Sequence, residues 1–111
     1  MISLERGKIP PQAVELERVV LGAMLIDKKG VDEVIDMLNE EVFYVDAHQK
    51  IFSAIHELFQ ETKPIDLLTV SNLLKQRKQH EVVGGDFYLI ELTRGVGSSA
   101  HIEYHARIIL Q

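Results

Sequence analysis

Cysteine is absent from the 111 residues, so the chain can form no disulfide and no thiolate metal site. A cytosolic home is compatible with that composition. Long hydrophobic runs are missing too. The longest, Val19 to Ile26, is far short of the roughly 20 residues a membrane span requires. The opening residues lack the apolar centre of a secretory signal, because Glu5, Arg6 and Lys8 separate Ile2, Leu4 and Ile9. No segment sustains a period-2 alternation of apolar and polar residues, which removes the main sign of a sheet. Internal repeats and low-complexity tracts are also lacking. Positive charge is scarce: 12 Lys and Arg stand against 17 Asp and Glu, a net charge of −5. DNA affinity comes largely from neutralising phosphates, so an acidic domain is a poor stand-alone nucleic-acid binder. A protein partner is the default.

What is present, 46% hydrophobic and 26% charged residues, suits one globular domain with one core. The pattern predicts helices throughout. Residues 1–9 read as a loose, flexible N-terminal arm. Pro10-Pro11 opens a first helix, since a first-turn residue would leave its amide hydrogen unpaired anyway. Val14 to Ile26 is apolar over more than half its circumference, and Glu15 and Glu17 suit the positive end of its dipole. Asp27 can cap a second helix, whose Val31, Val34, Ile35 and Leu38 form one stripe; Asn39 is its stop. Phe43 and Tyr44 are expected to pack inward. Asp46 starts a third helix with Gln49 as reciprocal capping partner, and Ala47, Ile51, Ala54, Ile55 and Leu58 make its inner face. Lys63-Pro64 ends it, and Asp66 caps a fourth, with Leu67, Val70, Leu73 and Leu74 inward. Gly84-Gly85 breaks the chain before a short helix, Asp86 to Thr93. A final helix follows Gly95, Gly97, Ser98 and Ser99, either serine being a candidate cap, with Ile102, Ala106 and Ile109 on its apolar side. It reaches Gln111 without a stop signal, as a piece of a longer chain would.

Chemical constellations fare poorly. His101 and His105 share one helix face, as zinc-binding pairs do, but the metalloprotease pattern places glutamate directly after the first histidine. Glu103 sits at the second position, about 200° round the helix. No spacing ties His48, His56 or His80 to the pair, so a structural role is the better reading. The only Gly-Lys pair, Gly7-Lys8, is followed by Ile9, so no phosphate-cradling P-loop is present. Ser53 and His56 lie one turn apart without an orienting acid. The run Lys75-Gln76-Arg77-Lys78 could touch phosphate, yet cations at the end of a helix already suit its dipole. Contact with another chain has two hints. Phe87 and Ile90 lie opposite the Leu89 and Leu92 face and, with Tyr88, make the short helix apolar nearly all round. The stripe on the last helix is the other.

"IPPQAVELERVVLGAML", "FYVDAHQKIFSAI", "PIDLLTV", "VVGGDFYLIEL" and "HIEYHARII" follow one another in an order and at intervals that resemble the N-terminal domain of bacterial replicative DNA helicases of the DnaB family. The resemblance runs from Ile9 to about Ile109. It implies an all-α fold: a compact bundle of about six helices over residues 10–97, leading at 98–111 into a helical hairpin truncated before the linker and the ATPase domain. By that resemblance this stretch catalyses nothing and holds no cofactor, with ATP and Mg confined to the ATPase domain. It supports hexamer assembly and recruits primase, whose own C-terminal domain docks on it, in the bacterial cytoplasm. Carried over position by position, Glu15 and Tyr88 are the residues implied for docking, with Phe87 and Ile90 beside them; Ile102, Ala106 and Ile109 belong to the region of self-association. Gly97, His101 and His105 depart from the proline, asparagine and tyrosine common in the family, and the glycine should loosen its turn. Two other readings stay open: the related helicase-binding module of a primase, and a small helical DNA-binding regulator using Lys75, Arg77 and Lys78.

Overall fold

Pro11 begins the first helix, α1 (Pro11–Ile26). The structure, a computed structural model, describes residues 11–111; Pro10 and the arm expected over residues 1–9 lie outside them. Every residue from Val20 to Leu25 is buried, so α1 is the strut around which the rest is laid. Asp27 caps α2 (Lys28–Val34), its carboxylate accepting the Lys29 amide hydrogen at 3.0 Å. The stripe Val31, Val34, Ile35 and Leu38 is buried throughout, although regular helix ends at Val34. The Asn39 side chain then caps a 3-10 turn (Glu40–Val42) through the Glu41 amide at 2.8 Å.

The next corner departs from expectation. Phe43 is buried but Tyr44 is 59% exposed. The backbone is extended at Phe43, and adjacent side chains on extended chain point to opposite sides. Helix α3 (Asp46–Gln60) has no side-chain cap of its own. Its N-cap is Val45, which places Gln49 one position too late for a reciprocal box; the Gln49 amide nitrogen donates to the Phe43 carbonyl at 2.7 Å instead. Ile51, Phe52, Ala54, Ile55 and Leu58 face the core, where the Phe43 and Phe52 rings meet at 5.3 Å.

Helix α4 (Leu67–Gln76) opens with a complete capping box: Asp66 accepts the Thr69 amide hydrogen, and the Thr69 hydroxyl accepts that of Asp66, both at 2.9 Å. Val70 and Leu74 are buried, with Leu67 and Leu73 partly so. Gly84 and Gly85 take φ of 112° and 68°, the left-handed region that favours glycine, and turn the chain into α5 (Gly85–Arg94). Helix α6 (Ile102–Leu110) returns along α1 and α2. Neither serine caps it. The N-cap is His101, without a side-chain bond, and the Ser99 hydroxyl donates to Asp27 at 2.6 Å. Asp27 thereby joins the starts of α2 and α6, and the Ser99 bond, then the Lys29 amide, hold its carboxyl below the usual range.

Ile102 and Ala106 are buried and Ile109 packs partly against the core. These residues, expected to serve self-association, are covered by the chain's own α1 and α2, because α6 can dock only through its apolar side. Packing therefore continues past residue 97, the expected end of the head. The outer side of α6 shows Tyr104 and Leu110 instead. Among the described residues the architecture is all-α, six α-helices and one 3-10 turn round a single core, and no helix is long and apolar enough to cross a membrane.

Candidate functional site

Helices α1 and α5 cross closely at Gly22. A β-carbon there would lie 2.1 Å from the Leu92 carbonyl oxygen, so only glycine permits the approach. North of the crossing on α1 stand Arg18 and Glu15, and the approach brings them against Tyr88 of α5. Glu15, Arg18, Tyr88, Glu91, Leu92 and Arg94 line a groove of 420 Å³. Glu15 and Tyr88, paired by resemblance alone, are thus on the two walls of one feature, joined through Arg18. Arg18 Nη1 donates to Glu15 Oε1 at 2.8 Å and its Nε to the Tyr88 hydroxyl at 3.4 Å. The guanidinium is held above its usual range, chiefly by the Tyr88 bond. Phe87 and Ile90 do not enter the groove. They lie on the outer side of α5, 73% and 40% exposed, and form an apolar ridge beside it.

Beneath the groove lies a buried polar set that local reading missed. Glu17 does not serve the α1 dipole. It is 2% exposed and reaches across to the corner before α3, where it accepts the amide hydrogens of Tyr44 at 2.7 Å and Val45 at 3.4 Å. Its other contact is His48, wholly buried, with Nδ1 2.7 Å from Glu17 Oε1 and Nε2 2.5 Å from the Tyr88 hydroxyl. Burial, opposed by the Glu17 bond, pushes the His48 imidazole below its usual range. The signal was available: Glu17 stands in register with Val20, Leu21 and Met24, and His48 with Ile51, Phe52 and Ile55, all buried. A polar side chain on an apolar stripe needs a partner from elsewhere.

Two further polar clusters are held by hydrogen bonds of their own. Ser71, Asp86 and His80 meet, but the Ser71 hydroxyl donates to Asp86 at 2.6 Å, and His80 Nε2 contacts the same carboxylate oxygen at 2.7 Å. A nucleophilic serine needs the imidazole, not the acid, as its acceptor. Those bonds, that of Ser71 first, keep the Asp86 carboxyl below its usual range. Ser53 accepts from Arg77 at 3.1 Å rather than engaging His56, and Arg77 also pairs with Glu57. This turns the middle cation of the Lys75–Lys78 run back onto the protein. The His101 and His105 rings make edge contact at 6.4 Å, and among the described residues no three side chains are grouped to hold a metal.

Six helices round one core, with a groove and an apolar ridge beside it, define the class: an all-α domain. The chain belongs to the DnaB-like helicase N terminal domain family, whose model matches residues 9–111. Over 107 residues it is 48% identical to the replicative DNA helicase DnaB of Rhodothermus marinus, covering 96% of this chain and 11% of that protein. Against the replicative DNA helicase DnaB of Geobacillus stearothermophilus it is 41% identical over 109 residues, 98% of this chain and 24% of the relative. The chain therefore spans a quarter or less of these curated relatives. The crystal structure of the N-terminal domain of DnaB helicase from Mycobacterium tuberculosis superposes with a TM-score of 0.86 at 35% identity, covering 92% of this chain and 71% of that one. These likenesses to helicases separate the chain from the primase module and the DNA-binding regulator.

Proposed function

We propose that this chain is the non-catalytic N-terminal domain of a replicative DNA helicase, which supports assembly of the hexameric ring and recruits primase through the α1–α5 groove and its ridge. The observation that carries the reading is the union of Glu15 and Tyr88 on one groove, with Phe87 and Ile90 exposed alongside. A docked chain would cover the ridge and meet the alternating charges of Glu15, Arg18, Glu91 and Arg94 at its rim, an arrangement that orients more than it attracts. Several copies in a ring would turn weak individual docking into firm attachment.

Self-association is assigned to the exposed residues of α6, Tyr104 and Leu110, in a segment that the family resemblance reads as the first helix of a hairpin. ATP and Mg belong to an ATPase domain beyond this chain, in the bacterial cytoplasm, and the acidic charge leaves this domain little affinity of its own for DNA. Titration of the chain with the C-terminal domain of the cognate primase tests the reading. Binding is expected, weakened on the order of tenfold or more by Tyr88→Ala, as for an aromatic anchor. No binding by the unaltered chain removes the recruitment claim.

A further inference from the structure

The geometry points to His48 as the positioning residue of the α1–α5 groove: gripped by Glu17, it fixes the direction of the Tyr88 hydroxyl and, through it, the Arg18–Glu15 pair on the groove wall. The inference rests on reading that groove as a docking site. Neither ring nitrogen of His48 is free, Nδ1 lying 2.7 Å from Glu17 and Nε2 2.5 Å from Tyr88. A carboxylate only accepts, so Nδ1 carries the proton of the neutral imidazole and Nε2 is left as an acceptor. Tyr88 has one hydroxyl hydrogen, and Nε2 takes it. The hydroxyl oxygen then faces outward as an acceptor, and Arg18 Nε donates to it at 3.4 Å. The hydrogen bonds thus all point one way, from an exposed guanidinium to a buried carboxylate. Glu17 is locked in turn by the Tyr44 and Val45 amides, so the line is anchored in backbone.

A second proton on His48 reverses the middle of this line. Nε2 would then donate to the Tyr88 oxygen, whose hydrogen would swing toward Arg18 Nε. Two donors cannot share that space, and Arg18 must leave the tyrosine. The charged groups acting on His48 both come from α1: Glu17 favours the proton and Arg18 opposes it. Helix α5 presents the Tyr88 hydroxyl, and the corner before α3 presents amides that bind Glu17 rather than His48. Among the described residues no side chain of α3 or α4 hydrogen-bonds to it. Burial makes the inward line the neutral-pH arrangement and the reversed line an acid form.

Nitrogen-15 NMR of the chain alone, followed from neutral to acid pH, tests the assignment. His48 is expected as the Nδ1–H tautomer, and the Arg18 Nε–H resonance should move with the midpoint of the His48 titration. Tyr88→Phe keeps the ring's packing and should abolish the Arg18 response while His48 still titrates. An Nε2–H tautomer at neutral pH, or an Arg18 resonance indifferent to the titration, overturns the proposal. In parallel, affinity for the primase C-terminal domain should fall about tenfold across that titration, the loss of one charge-assisted hydrogen bond. Tyr88→Phe should show no such fall, and an equal fall in both proteins again overturns it. Absence of binding at every pH removes the docking reading, whereas lost coupling in the spectra with binding intact removes only the role of His48.

Discussion

Gly22→Ala should destabilise the fold although it replaces a poor helix former with the best one. On propensity alone the change would stabilise α1 by about 0.8–1 kcal/mol. The added β-carbon, however, would stand 2.1 Å from the Leu92 carbonyl oxygen, 2.8 Å from Val96 Cγ2 and 3.0 Å from the Leu92 carbonyl carbon. Ordinary contact is roughly 3.5 Å, so α1 and α5 must part by more than about 1 Å. A backbone carbonyl cannot rotate aside as a side chain can, and the separation spreads along a packed crossing. Overpacking of this kind costs about 1–3 kcal/mol, here at the upper end, and the net expectation is a loss of about 2 kcal/mol. Urea unfolding should show a midpoint lowered by about 1 M at unchanged slope, and thermal unfolding a midpoint lowered by roughly 10 °C. Gly95→Ala is the control: φ is −80° and nothing lies within 4 Å of the added carbon, so stability should stay within about 0.5 kcal/mol. A Gly22→Ala protein as stable as its parent would refute the tight crossing, and with it the reason Glu15 and Arg18 meet Tyr88.

Ile102→Ala should cost about 2–5 kcal/mol in the unfolding of the chain itself, because the side chain is 2% exposed in its own core. Tyr104→Ala, 66% exposed, should leave unfolding within about 0.5 kcal/mol, and the opposite ranking would return the inner stripe to association. Acidification should weaken the fold below about pH 6.5, because the unfolded imidazole takes a proton that buried His48 refuses until lower pH. Stability that stays level as the pH falls through that window would contradict a neutral, buried His48. The carboxylates of Asp27 and Asp86, lowered from 3.8, contribute above that value and lose their contributions only beneath it, so the two windows separate in a pH series. Asp66→Ala removes the α4 capping box and should lower stability by about 1 kcal/mol, measured by urea unfolding.

What the sequence determined by itself was a set of devices that act within one or two helical turns. The α2 stripe, the Asp27 and Asp66 caps and the glycine pair before α5 are short-range devices, and their chemistry is complete in a few consecutive residues. Where a local device had a competitor from elsewhere, local reading failed. Ser99 was free to cap α6 until Asp27, 72 residues away, took its hydroxyl, and Gln49 was a capping partner until the helix start slipped to put Val45 at the cap. The apolar side of α6 was legible as a stripe, but only packing revealed that α1 and α2 already cover it. Resemblance named Glu15 and Tyr88 without connecting them. Their connection runs through Arg18, 70 residues from Tyr88, and its buried continuation through His48 and Glu17 spans 40 and 31 more. Those hydrogen bonds exist because a carboxylate and an imidazole on two apolar stripes had to satisfy each other once the helices closed, a necessity that only the crossing of α1, α3 and α5 creates.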